Sequence, residues 1–272
     1  MLAMGTVPLR CQQLGKRFAS DAWAVRNLSL DVPAGALVLL AGANGSGKTT
    51  LLRMLAGALA PDTGSLEIAG AVATVPRSAA QRQAVTLIAQ EPALDPDMTP
   101  RQLLEFFGTL AGLPAGLRRD RMADVAQRLD LGAFLDRPVA RLSGGQRMRT
   151  HLAMGLVPNS DILLLDEPTA ALDPDTQQRL WRQLSVYCAQ GGTCVAASHD
   201  LRLAQDYCTH VAVLARGELL AWGERSQLCA QHQVPDVAQL YSALVGETVV
   251  AAQPARGRGT GGGRGRGLGA GL

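Results

Sequence analysis

Aromatic side chains are scarce in this sequence, 4% of its 272 residues, while hydrophobic residues reach 47%. A sizeable core is therefore expected, built from Leu, Val and Ala rather than from rings. The five cysteines, Cys11, Cys188, Cys194, Cys208 and Cys229, are odd in number and contain no CxxC pair. This argues against a disulfide framework or a zinc site and suits a reducing compartment. No apolar run nears the roughly 18 residues that a membrane-spanning helix needs. The longest, 34–43, meets Asn44 and Lys48 at once. The opening MLAMGTVPLRC has neither a basic stretch nor a continuous apolar one, so no signal peptide is expected. A role at a membrane would have to run through another chain.

Acidic residues are missing from the last segment. From Pro254 onward four arginines stand among glycines without a carboxylate, and taking those four from the formal charge of +3 leaves −1 for the rest. A glycine-rich segment without apolar anchors cannot offset its ordering entropy, so residues 254–272 are expected to be a disordered, solvated tail. Its RG repeats suit RNA or anionic lipid by charge, but no specific nucleic-acid partner is expected.

What is present is a series of short apolar segments divided by turn signals. Leu28–Leu30, Leu37–Ala41 and Ser65–Ile68 read as strands, separated at Pro33-Ala-Gly35 and Pro61-Asp-Thr-Gly64. Lys48–Leu59 reads as a helix opening from a glycine-rich loop. Between about 92 and 150 the spacing becomes helical: Leu103, Leu104, Phe106, Phe107 and Leu110, then Val125, Leu129, Leu131, Phe134 and Leu135. Thr99-Pro100 supplies the N-cap and first position of that region. The first of these helices has more apolar residues than one stripe can hide, so its surface is a candidate docking site. Thereafter strands (Ile162–Leu165, Cys194–Ala197, Val211–Leu214) alternate with helices (Asp175–Cys188, Leu201–Cys208). That order implies a parallel sheet covered on both faces, with a helical region inserted between its halves.

Three motifs carry chemistry. Gly42-Ala-Asn44-Gly45-Ser46-Gly47-Lys48-Thr49, running on into Thr50, fits GxxxxGK[ST] behind an apolar strand. Its backbone N–H groups and the helix start suit a β-phosphate, Lys48 suits β- and γ-phosphate oxygens, and the Thr49 hydroxyl suits Mg²⁺. Asp166 and Glu167 end a buried strand, where open α/β sheets place ligands. Asp166 is the candidate to hold Mg²⁺ through its water shell, and Glu167 the candidate base for an attacking water. Leu142-Ser143-Gly144-Gly145-Gln146 opens a helix, and its capped N-terminus is a second anion site without a lysine of its own.

With these residues in view, the chain resembles the ABC transporter nucleotide-binding domain over about residues 8–225. The ordered set comprises the phosphate loop, Gln90, the LSGGQ signature, Asp166-Glu167, Ala171-Leu-Asp173 and Ser198-His199-Asp200. The resemblance implies an α/β P-loop core with a mainly parallel sheet, an antiparallel β subdomain and the inserted helical subdomain. Residues 1–7 would be an extension and 226–253 a C-terminal helical addition. It also implies Mg-dependent ATP hydrolysis in a head-to-tail dimer, where the signature of one subunit caps ATP held by the other. Gln90 would contact Mg²⁺ and water, His199 would position the γ-phosphate and Glu167, and Asp173 would sit at the dimer interface. Phe18 matches the adenine-stacking aromatic, with Trp23 as its rival. A transmembrane permease subunit and a second ATP-binding subunit, the same or different, would be the partners, at the cytoplasmic face of a membrane.

Other classes fit less well. A chromosome-maintenance ATPase needs a long coiled coil, and no heptad run lies between Lys48 and Arg141. Ribosome-acting relatives carry two such domains per chain, and an NKxD guanine-reading motif is absent. The segment from Gln90 to Pro100 and the LLEFFGTLAGLP after it look like ABC-2-type exporters, whereas Ala197–Ala204 suits importers of metals or haem equally.

Overall fold

The computed structural model describes residues 8–18 and 22–251. The expectations for residues 1–7 and for the tail from Pro254 lie outside the described residues. In chain order the elements are β1 (Leu9–Arg17), β2 (Trp23–Val32), β3 (Leu37–Ala41), α1 (Lys48–Ala56), β4 (Thr63–Ile68), β5 (Ala71–Val72), α2 (Ala79–Ala84), β6 (Val85–Ile88), α3 (Pro100–Leu110) and α4 (Ala115–Arg128). They continue with α5 (Gly144–Leu156), β7 (Ile162–Asp166), α6 (Pro174–Ala189), β8 (Thr193–Ser198), α7 (Leu201–Ala204), β9 (His210–Ala215), β10 (Glu218–Glu224), α8 (Arg225–Gln231) and α9 (Val237–Ala251).

Six strands form one sheet in the order β10-β9-β3-β8-β7-β6. The pairs from β9 to β6 are parallel and β10 returns antiparallel. Every residue of β3, β7 and β8 is buried, as a parallel sheet sandwiched between layers requires. The period-2 alternation of strands sorts these side chains into two cores. Leu37, Leu39, Ala41, Leu163 and Leu165 face a core shared with α3 to α6, while Val38, Leu40, Ile162 and Leu164 face α1 and the second sheet. That second sheet is antiparallel, in the order β2-β1-β4-β5. The expected combination of parallel core, antiparallel β unit and inserted helices is therefore present.

Three helices end earlier than the sequence predicts. α1 stops at Ala56 rather than Leu59, because Gly57 takes a left-handed φ of 79° and its amide donates back to the Met54 and Arg53 carbonyls. α4 stops at Arg128, where Asp130 takes a left-handed φ of 51°. The Asp130 and Leu131 amides donate back to the Gln127 and Ala126 carbonyls, closing the helix end. Leu131 and Phe134 consequently turn into the core instead of extending the helix. Likewise α7 stops at Ala204 rather than Cys208. The Asp206 and Tyr207 amides bond three residues back, tightening the turn. Gln205 is captured by tertiary partners: its carbonyl accepts from Arg225 Nη1 at 2.9 Å, and its Oε1 accepts from the Val237 amide at 3.0 Å.

Candidate functional site

Residues 43–50 wrap one side of a cleft of about 470 Å³, at the C-terminal ends of β3 and β7. The loop turns into α1 through Gly47, whose φ is 108°. A Cβ added there would lie 2.3 Å from the Ala24 carbonyl oxygen, so this turn needs glycine for both its conformation and its space. The start of α1 then points its free amides at the cleft.

Lys48 is only 6% exposed. Its Nζ donates to the Gly42 carbonyl at 2.7 Å and the Ala43 carbonyl at 3.2 Å, and lies 3.7 Å from Glu167 Oε1. Glu167 stands at a left-handed φ of 49°, immediately after β7. Its Oε2 accepts from the His199 backbone N–H at 3.3 Å and sits 2.7 Å from His199 Nδ1. That distance suits an Nδ1–H donor to the carboxylate and leaves Nε2 available to another partner. Asp166, Gln90, Thr49 and Thr50 complete the wall with Asn44, Gly45 and Ser46. Sequence reasoning missed Ala24, which also lines the cleft; a small residue acting through its backbone has no signature.

The donor set fits a hard divalent cation. Asp166 Oδ1 is buried and has no hydrogen-bond partner among the described residues. It shares the cleft with the Thr49 hydroxyl. Mg²⁺ is usually held by one or two protein oxygens together with substrate phosphates and water. Among the described residues no group of three or more His, Cys, Asp or Glu is placed to hold a metal ion.

The other candidates lie elsewhere. Ser143 caps α5: its Oγ accepts from the Gln146 amide at 3.2 Å, and Gln146 Oε1 accepts from the Ser143 amide at 3.0 Å. Ser143 and Gly144 are exposed, Gly145 and Gln146 half-buried, and Leu142 is buried. A Cβ on Gly145 would stand 3.7 Å from the Ala171 carbonyl, so the Ala171–Asp173 turn lies beside the signature. Asp173 caps α6, and hydrogen bonds from the Thr176 hydroxyl and amide hold its carboxyl below the usual range. Phe18, 51% exposed, directly follows β1 and is not among the residues that line the cleft, and Trp23 has the Arg17 guanidinium 4.8 Å above its ring.

One contact ties the signature helix to the cleft. His151 of α5 has Nε2 3.0 Å from the carbonyl of Ala89, the residue before Gln90. α5 can approach β6 this closely because Gly155 has no side chain; a Cβ there would stand 2.3 Å from Ile88 Cγ1.

A family model described as ABC transporter matches residues 25–170. The Nod factor export ATP-binding protein I of Ralstonia nicotianae is 36% identical over 240 residues, covering 88% of this chain and 74% of that protein. The protein of the same name from Cupriavidus metallidurans is 34% identical over 227 residues, covering 83% and 74%. Among solved structures, an ATP-binding subunit of an ABC transporter superposes with a TM-score of 0.81 at 22% identity, over 87% of this chain and 99% of that one. The cbiO1 protein of Clostridium perfringens, part of the ABC transporter complex cbiONQ, gives 0.73 at 25% identity, over 90% and 99%.

Proposed function

The chain belongs to the ABC transporter family and hydrolyses ATP as a transporter subunit, and from that premise we propose that it powers an exporter from the cytoplasmic face of a membrane. Two things support the direction: the exporter-like stretch that starts at Gln90, and relatives at 34–36% identity named for export. No helix among the described residues is long and apolar enough to cross a membrane. A transmembrane permease subunit supplies the path, and this chain sits on it peripherally.

The observation that carries the reading is the convergence of Lys48, Asp166, Glu167 and His199 from three separate segments on one cleft. Amides of residues 45–48 bind the β-phosphate, and Lys48 leaves its carbonyl acceptors for β- and γ-phosphate oxygens. Thr49, Asp166 and Gln90 would hold Mg²⁺, which when bound neutralises charge on the phosphate oxygens. Glu167 takes the proton from the attacking water, and His199 orients that carboxylate through Nδ1–H while presenting Nε2 to the γ-phosphate. Phe18 stacks on adenine. Leu142–Gln146 of a second ATP-binding subunit, with Asp173 at the interface, closes each nucleotide from the far side.

The permease docks beside α3. Leu103 and Leu104 are spent on the core, but Phe106 and Leu110 remain 54% and 70% exposed. Leu110, Phe107, His151 and Met154 line a groove of about 960 Å³ between α2, α3, α5 and β6. His151 connects this groove to the Ala89–Gln90 segment, which gives docking a path to the nucleotide.

Affinity purification of the full chain from detergent-solubilised membranes tests the reading. A polytopic membrane protein should copurify stoichiometrically, and ATPase activity should vanish in Lys48→Ala. Recovery of a nucleic-acid or ribosomal complex in its place would overturn it.

A further inference from the structure

The structure assigns Tyr241, on the C-terminal helix α9, as a positioning residue of the phosphate loop. The geometry concerns a single peptide unit, Gly42–Ala43. Its carbonyl accepts from Lys48 Nζ at 2.7 Å, and its N–H donates to the Tyr241 hydroxyl at 3.1 Å. A peptide unit is planar, so its two polar ends cannot turn independently. Lys48 and Tyr241 thus hold one plane from opposite edges, and hydrogen bonds at the two ends of an amide strengthen each other by polarisation. The next carbonyl, of Ala43, accepts from both Lys48 Nζ and the Ser46 amide, so the orientation of this plane passes directly into the loop.

α9 is fastened where it must be for this. Val237, at its start, and Leu240 are fully buried, and Leu244 nearly so. The Val237 amide donates to Gln205 Oε1. Gln205 follows α7, whose N-cap, Asp200, adjoins His199. The helix therefore braces the phosphate loop against the segment that carries the histidine. Nothing in the nucleotide chemistry already described uses Tyr241 or α9.

The Tyr241 hydroxyl keeps the loop in the shape that receives phosphate, so its loss costs binding through lost preorganisation and leaves the proton transfer at Glu167 alone. This inference rests on the reading of residues 42–49 as the phosphate cradle. The test is nucleotide binding and turnover of the full chain carrying Tyr241→Phe, which retains the ring and its packing. Kd and KM for ATP should rise about threefold to tenfold, the range for one neutral hydrogen bond. kcat should stay within about twofold. Amide exchange at Ala43 should accelerate while thermal stability is kept. Leu240→Ala, which loosens α9 itself, should weaken ATP binding in the same direction, and its effect should not add to that of Tyr241→Phe. Unchanged affinity in Tyr241→Phe, beside a Lys48→Ala control that has lost ATP, overturns the brace alone. A Lys48→Ala control that binds ATP normally overturns the cradle and the brace with it.

Discussion

His199 holds one oxygen of Glu167 twice, through its backbone N–H at 3.3 Å and its ring Nδ1 at 2.7 Å, while the other oxygen of Glu167 lies 3.7 Å from Lys48 Nζ. The carboxylate is buried and bridges the residue proposed to bind phosphate and the residue proposed to sense it. Lys48 and Glu167 oppose each other's charge at 3.7 Å while Glu167 Oε1 makes no hydrogen bond among the described residues, and on the proposed reading an arriving γ-phosphate would compete for the lysine. The carboxylate would then keep its histidine donor and have an oxygen able to accept a proton from water.

Glu167→Gln should keep ATP binding and lower turnover by about 10²-fold or more, the usual worth of a general base. His199→Ala should lower kcat in the same direction with a smaller change in nucleotide affinity, because the backbone N–H still holds Glu167. Binding of a fluorescent ATP analogue and phosphate release separate the two steps. Normal turnover in Glu167→Gln would remove it from the role of base.

The exposed Ser143–Gly144 cap of α5 is not among the residues that line its own subunit's cleft. With Glu167→Gln and Mg-ATP the full chain should dimerise in light scattering, and Ser143→Arg should keep it monomeric. A dimer that survives Ser143→Arg would rule out the head-to-tail sandwich. If the natural partner is a different ATPase subunit, the same comparison applies to the mixed pair.

Charge on the apolar flank of α3 should uncouple the motor from its partner. Leu110→Glu and Phe106→Glu are expected to leave basal ATPase within about twofold, since exposed substitutions usually change stability little. Copurification of the membrane partner should fall severalfold or more. Thr109→Glu should act in the same way, whereas Gln102→Glu retains the acceptor that caps Thr99 and so tests charge without loss of the cap. Undiminished copurification in all four would place the docking surface elsewhere.

Burial pushes the imidazoles of His151 and His210 below the usual histidine value of 6.5, with Glu224 partly opposing this at His210. The folded state therefore resists protonation that the unfolded chain accepts. Stability from this source is complete above pH 6.5 and is lost as pH falls from there through the folded pKa values. The melting temperature should drop between pH 7.5 and 5.5, above the carboxylate range. His151→Gln, which keeps a donor for the Ala89 carbonyl, should shrink that drop; an equal drop in the variant would exclude His151 as a source.

The amino-acid sequence by itself determined whatever depends on near neighbours. The Thr99 and Ser143 caps, each closed by a glutamine three residues on, follow from local hydrogen bonding. The Gly47 turn into α1 and the all-buried strands β3 and β7 follow from conformational freedom and apolar runs. The parallel sheet follows from the order of its segments. Only the tertiary structure decided which polar groups meet. Glu167 and His199 are 32 positions apart, and Ala43 and Tyr241 are 198 apart. No periodicity encodes such pairs, because the packing of β7 beside β8 and of α9 against the core sets their distance. The early ends of α4 and α7 have a related cause. Apolar spacing continues through Leu131 and Cys208, but the Asp130 turn and the capture of Gln205 by Arg225 and Val237 redirect the chain. α4 thus ends where the left-handed Asp130 lets the chain bond back onto its own last turn, and α7 ends where Arg225 and Val237 hold Gln205.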